Sequence, residues 1–70
     1  MSAEGKFLVY CIEIYRASKN MTGKQVIDLF TRYGALDYIL SCYEALHTTG
    51  REYIVNDISL YICERQSASV

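Results

Sequence analysis

The stretch from Tyr33 to Tyr61 constrains the fold of this chain more than any other part. It places five tyrosines among Leu, Ile and Val residues, and no proline interrupts it. Tyrosine carries a large apolar ring with a polar tip, so rings at helical spacings build a core or a contact surface. The stretch therefore predicts packed helices, and it contains no arrangement of residues typical of a catalytic site.

Length and composition predict one small domain. The chain has 70 residues, of which 51% are hydrophobic and 13% aromatic. We expect a single helical domain over residues 1–70 with an ordered core over about 5–65. The net charge of −1 gives no reason to expect binding to nucleic acid or to an anionic membrane. Charged residues break the first apolar run too early for a signal peptide or a membrane span, so we expect a cytoplasmic protein.

The three cysteines predict neither disulfides nor a metal site. Cys11, Cys42 and Cys63 are odd in number and contain no CxxC pair. We therefore expect reduced thiols, at least two of them buried as small hydrophobic side chains, and no cofactor.

The first two helices have clear sequence signals. The first is predicted from about Ala3 to Ser18, with an apolar arc too broad for one neighbouring helix to cover. It is therefore central, or it shares a face with a second chain. The second begins at Thr22 as N-cap, with Gln25 completing a capping box, and ends at Gly34 in the left-handed conformation.

The third and fourth segments are less regular. The third is predicted to begin with Asp37 as N-cap and to run to His47, with Gly50 holding a positive φ after it. The fourth is predicted from about Glu52 to Arg65, and a short extended piece at 52–55 is the alternative. The tail over residues 66–70 is expected to be frayed.

Together these segments predict an all-α fold. We expect a compact array of about four helices, mostly antiparallel, around a single small core. The core residues predicted from helical spacing are Phe7, Cys11, Ile12, Tyr15, Val26, Ile27, Phe30, Tyr38, Cys42, Leu46, Ile58 and Ile62.

The sequence lacks the residues that catalysis and the recognition of DNA bases would require. His47 is the single histidine, and a role at a helix end explains it better than general-base chemistry, which needs an aligned partner. The two helices around Gly34 resemble a helix-turn-helix in outline, but residues 37–46 contain no Arg, Lys, Asn or Gln to contact bases. We therefore expect a protein that is not an enzyme and does not bind nucleic acid.

Several apolar and aromatic residues fall outside the predicted core. A surface patch that combines them would be typical of a partner site. The candidate partner-binding residues are Val9, Tyr10, Leu40, Tyr43, His47 and Leu60.

Four motifs resemble a small bacterial family known only as a domain of unknown function. The motifs are FLVYCIE at residues 7–13, YGALDYI at 33–39, Tyr43 followed by LHTTG at 46–50, and YIVNDI at 53–58. The resemblance as a whole covers roughly Phe7 to Ile62. Members of that family are short and are often encoded beside a larger protein resembling an ADP-ribosyltransferase. The resemblance implies a toxin–antitoxin-like pair in which the small helical protein binds and restrains the larger one, and it implies no catalytic residues.

The predicted function is therefore a non-catalytic protein-interaction module. The expected partner is the co-encoded enzyme or a second copy of the chain in a homodimer. Two alternatives stay open: a small DNA-binding, autoregulatory transcription factor, and an oligomerising structural domain.

Overall fold

The computed structural model describes residues 2–68, and all the regular structure in this range is helical. The five helices are α1 (Ala3–Lys19), α2 (Gly23–Tyr33), α3 (Ala35–Ser41), α4 (Tyr43–Leu46) and α5 (Arg51–Ala68). Helix α1 contacts α2, α3 and α5, which agrees with its predicted central position. The predicted all-α fold with about four helices is confirmed in this coarse form, because four of the five helices have at least seven residues.

Local hydrogen bonds set the ends of α1 and α2. The Thr22 hydroxyl accepts from the Gln25 backbone at 3.1 Å, and the Gln25 side chain accepts from the Thr22 backbone at 2.9 Å. This confirms the capping box. Gly34 ends α2 with φ 73°, as predicted. Asn20 ends α1 in the same left-handed region, with φ 55°, which asparagine tolerates better than most residues.

The predicted third helix is wrong in its start and in its continuity. Helix α3 begins at Ala35, so Asp37 lies inside the first turn and is not the N-cap. Because Gly34 already turns the chain, the next helix needs no connecting residues, and the N–H of Tyr38 donates to the Gly34 carbonyl at 3.2 Å. The helix then breaks at Cys42, where φ is −101° and ψ is 13°, and α4 is a separate single turn.

The prediction for Gly50 is also corrected, whereas the predicted helix over residues 52–55 is confirmed and the extended alternative is wrong. Gly50 does not have a positive φ. Its carbonyl accepts from the N–H of Ile54 at 3.1 Å, so Gly50 starts α5 instead of ending the helix before it. Residues 52–55 are helical because Ile54 and Val55 are both buried, and burial outweighs their β-branched preference. Helix α5 continues past Arg65 to Ala68, while Ser69 and Val70 lie outside the described residues.

The core agrees with most of the predicted list. Seven predicted residues are buried: Cys11, Tyr15, Val26, Phe30, Leu46, Ile58 and Ile62. Four others are half-buried: Phe7, Ile12, Tyr38 and Cys42. Ile27 is 45% exposed, so its assignment to the core is wrong. The helix turns about 100° between Val26 and Ile27, which carries Ile27 out of the buried stripe. Core residues missing from the predicted list are Ile14, Ala35, Ile39, Ile54 and Val55.

The three cysteines are unpaired, but only one is buried. Cys11 is fully enclosed, and burial raises the pKa of its thiol to about 12. Cys42 is half-buried and Cys63 is exposed, so the expectation of at least two buried thiols is wrong. No helix within residues 2–68 combines the length and the hydropathy that crossing a membrane requires.

Candidate interaction surface

Four ring side chains form a continuous row from α1 to α4. The Phe7 ring lies edge-on to the Tyr43 ring, with centroids 5.5 Å apart, and lies 6.3 Å from the Tyr10 ring. The Tyr43 ring stacks on His47 at 4.4 Å with an interplanar angle of 7°. We name Tyr10, Phe7, Tyr43 and His47 the aromatic row.

The break at Cys42 determines how the end of this row is built. Tyr43 is the first residue of α4 and His47 is its C-cap, so the two side chains are four positions apart and share one side of the turn. Nδ1 of His47 lies 2.7 Å from the carbonyl oxygen of Tyr43. A carbonyl oxygen only accepts, so Nδ1 carries a proton and Nε2 points away from this bond. This bond gives His47 the role at a helix end that the sequence predicts.

The aromatic row is partly packed and partly open to solvent. Tyr10 is 45% exposed and His47 is exposed, whereas Phe7 and Tyr43 are half-buried. Phe7 packs against the core cluster, so it fixes the row to the body of the domain. A row held in this way offers aromatic contact area without first having to become ordered.

The other predicted partner-binding residues lie elsewhere. Val9 is 48% exposed and lies about 160° around α1 from the buried Cys11, so it faces outward. Leu40 is 40% exposed near the end of α3, and Leu60 is 60% exposed on α5. Among the six predicted residues, the structure therefore joins Tyr10, Tyr43 and His47 in one row. Phe7, which links them, was assigned to the core from its helical spacing.

A second cluster of polar and aromatic groups lies between α3 and α5. The Tyr38 hydroxyl donates to a carboxylate oxygen of Asp57 at 2.6 Å. The Tyr38 ring stacks on Tyr61 with centroids 3.9 Å apart, and the Arg65 guanidinium lies 5.0 Å from the Tyr61 centroid. The bond to Asp57, followed by partial burial, raises the pKa of Tyr38 well above its usual range. Sequence reasoning missed this cluster, because its only sequence signal is the one-turn spacing of Asp57, Tyr61 and Arg65 along α5.

These surfaces present mainly aromatic and apolar side chains. The side-chain hydrogen bond and the ring stacking described for His47 are both with Tyr43. Within residues 2–68, no three side chains of His, Cys, Asp or Glu come together in a group that suits a metal ion. The aromatic row and the exposed apolar residues instead offer shape and contact area, which are the properties that protein interfaces use.

Comparison with known proteins assigns the chain to a family and adds no function. No curated protein and no solved structure matches it. A family model, described as a protein of unknown function, DUF3791, matches residues 6–65. This range spans α2, α3 and α4 and most of α1 and α5, including the whole aromatic row. The chain therefore belongs to the DUF3791 family.

Proposed function

We propose that this domain is a non-catalytic protein-interaction module that contacts its partner through the aromatic row. The observation that supports this most is the open but anchored arrangement of Tyr10 and His47 around Phe7 and Tyr43. Tyrosine is enriched at the energetic centres of interfaces because it brings a large contact area with few rotatable bonds. The half-buried Phe7 keeps the row in place before binding, which lowers the entropy cost of association.

In this proposal the partner is a co-encoded enzyme that resembles an ADP-ribosyltransferase, and the domain restrains it as an antitoxin-like protein in the bacterial cytoplasm. The motivation is the resemblance of the sequence to a bacterial family that is often encoded beside such an enzyme. Restraint of this kind requires only a complementary surface that covers the enzyme or its substrate path. An arrangement that holds aromatic side chains and no described catalytic group suits that role.

The test is to purify the chain with the product of the neighbouring gene and to measure that protein's ADP-ribosylation with and without the domain. We expect a stable complex and reduced activity. A complex whose activity is unchanged would contradict the antitoxin role while leaving the interaction module intact. Failure of the two proteins to bind would contradict the antitoxin role entirely. Salt-sensitive binding to the promoter DNA would favour the autoregulatory alternative.

A matched pair of variants tests the aromatic row itself. Tyr10 and Ile27 are both 45% exposed, but Ile27 lies on α2 outside the row. We expect Tyr10→Ala to weaken the complex about ten-fold or more, since truncating a tyrosine at the energetic centre of an interface costs about 2 kcal/mol. Ile27→Ala should bind as the unmodified chain does. Equal affinity of the two variants would show that the row is not the contact surface.

A further inference from the structure

The outward side of α5 carries the two most exposed large hydrophobic residues described in the structure. Tyr53 is 59% exposed and Leu60 is 60% exposed. They are seven positions apart, which is two helical turns, so both lie on the same side of α5. The opposite side of the helix carries Ile54, Ile58 and Ile62, all buried in the core. Helix α5 is therefore apolar on two sides, and the structure covers only one of them.

The exposed side has the spacing of a helix-pairing seam. Tyr53, Asn56, Leu60 and Cys63 follow one another at intervals of three, four and three residues, which is the a–d pattern of a coiled coil. A groove of about 250 Å³ lies between Tyr53 and Leu60, with Asn56 and Asp57 completing its lining. Such a groove has room for an apolar side chain from a helix lying along the seam. We name these four seam residues, together with Glu52, Asp57 and Glu64 beside them, the α5 outer face.

Carboxylates flank this seam on both edges. In the same heptad frame Glu52 takes a g position, and Asp57 and Glu64 take e positions. The two basic residues of α5 occupy neither seam nor flanking positions: Arg65 stacks over Tyr61, and Arg51 lines a cleft with Ser18 of α1 that also includes Glu52 and Asn56. The α5 outer face therefore combines exposed apolar groups with three carboxylates: Glu52 and Glu64 are exposed, and Asp57 is half-buried and also accepts from the Tyr38 hydroxyl.

We propose that the α5 outer face binds a basic amphipathic helix, with apolar residues in the seam and Lys or Arg residues beside Glu52, Asp57 and Glu64. This goes beyond the aromatic row, because it is a second surface made of different residues on a different helix. The negative charges of the α5 outer face favour a basic partner over an acidic one. A second copy of α5 would place carboxylates against each other, e against g in a parallel pair and e against e in an antiparallel pair, which disfavours pairing. Nucleic acid and anionic membranes are repelled for the same reason.

The test uses two synthetic helical peptides of about three heptads each and fluorescence anisotropy with the full chain. Both peptides carry Leu at a and d, one with Lys at e and g and the other with Glu. We expect the basic peptide to bind at least about ten-fold more tightly than the acidic one, and its affinity to fall as salt rises from about 0.05 M to about 0.5 M. Equal affinity for the two peptides, or no effect of salt, would overturn the proposal.

Variants of the domain locate the binding surface. Leu60→Asp should reduce affinity for the basic peptide about ten-fold or more. Val9→Asp is the control, since Val9 is 48% exposed on α1 against 60% for Leu60, and it should leave the affinity unchanged. Glu64→Lys leaves the apolar seam unchanged and should also weaken binding of the basic peptide. This variant tests the proposal even if Leu60→Asp fails to fold. Loss of binding in Val9→Asp, or full binding in both α5 variants, would overturn the proposal.

Two further measurements separate this surface from the aromatic row and from self-association. Tyr10→Ala should bind the basic peptide normally, even where it loses the partner of the proposed function. If Tyr10→Ala loses the peptide while Leu60→Asp retains it, the peptide occupies the row and the α5 proposal is wrong. A concentration-dependent dimer that disappears in Leu60→Asp would likewise overturn the proposal, because a second copy would then be the occupant.

Discussion

The hydroxyl of Tyr38 on α3 and the carboxylate of Asp57 on α5 form a 2.6 Å hydrogen bond between residues 19 positions apart. The Tyr38 ring also stacks on Tyr61, one turn further along α5. Helix α3 has only seven residues and no side-chain cap at its start. A helix this short is not stable alone, so its position depends on contacts such as these and on the buried Ala35 and Ile39.

Tyr38→Phe should lower the free energy of unfolding by about 1 kcal/mol. The change keeps the ring on Tyr61 and removes the hydroxyl, so Asp57 loses a donor that water replaces only in part. Urea denaturation followed by circular dichroism measures the difference. Tyr53→Phe is the control, because the Tyr53 side chain is 59% exposed, and we expect no change there. Equal losses in the two variants would mean that the bond to Asp57 contributes nothing to stability.

The protein should lose stability in alkaline solution for two identified reasons. Burial raises the pKa of the Cys11 thiol from 9.0 to about 12, and the bond to Asp57 raises the pKa of Tyr38 above 10.0. The folded chain therefore keeps protons that the unfolded chain has already lost. These contributions are fully present below about pH 9 and decline as the pH rises toward 12, by up to about 1.4 kcal/mol per pH unit for each group.

Urea denaturation at a series of pH values from about 8 to about 11 measures this decline. Other tyrosines and cysteines titrate in the same range, so the informative quantity is the difference between the unmodified chain and Tyr38→Phe. The variant should lose stability less steeply above about pH 10. Parallel curves for the two proteins would contradict the assigned shift of Tyr38.

Two glycines, each at the junction between two helices, should respond differently to substitution by alanine. Gly34 has φ 73°, and a Cβ built there meets only the Tyr61 hydroxyl, at 3.9 Å. Gly34→Ala should therefore destabilise by about 1 kcal/mol through backbone strain and not through a clash. Gly50 has no positive φ and no atom within 4 Å of an added Cβ. Alanine reduces the entropy of the unfolded chain, but glycine is preferred at the start of a helix, so Gly50→Ala should change the free energy of unfolding by less than about 0.5 kcal/mol. Thermal unfolding compares the two, and a larger loss at Gly50 would contradict this assignment.

The features predicted correctly are those whose causes lie within a few residues. The capping box of Thr22 and Gln25 and the left-handed Gly34 depend on local geometry, so the sequence carries the full signal. Gly50 was predicted wrongly because glycine suits both the end of one helix and the approach to the next. Which of these two roles Gly50 takes is decided by where α5 starts. Helix α5 starts at Arg51 because this places Ile54 and Val55 in the core.

Features that depend on contacts between helices cannot be predicted from the spacing of residues in the sequence. Helical spacing placed Phe7 in the core, and only the position of α4 reveals that it also joins Tyr10 to Tyr43. The break at Cys42 has no Pro or Gly signal, yet it redirects the chain and so creates that contact. The sequence pattern thus indicates Tyr10, Tyr43 and His47 as surface candidates. It does not indicate that Phe7 joins them in one row.

Ser59→Ala should make the protein more stable. The Ser59 hydroxyl is buried on α5 and has no hydrogen-bond partner among the described residues. Removing it relieves an unsatisfied polar group and improves helix propensity, for a gain of about 1 kcal/mol. Ser18→Ala on α1 is the control, because its exposed side chain should give only the propensity gain. Chemical denaturation of both variants makes the comparison, and a smaller gain at Ser59 would indicate that its hydroxyl is satisfied in solution.

Phe30 and Ile27 test how α2 packs, because they are three positions apart and the sequence pattern assigns both to the core. Phe30 is fully buried and lies edge-on to Tyr15 with centroids 5.1 Å apart, whereas Ile27 is 45% exposed. Phe30→Ala should cost about 3–5 kcal/mol, a large share of the stability of so small a domain. Ile27→Ala should cost less than about 1 kcal/mol, since much of its side chain already contacts water. Similar losses in urea denaturation would mean that Ile27 is buried in solution as Phe30 is. Ile27 would then no longer be a valid control for the aromatic row.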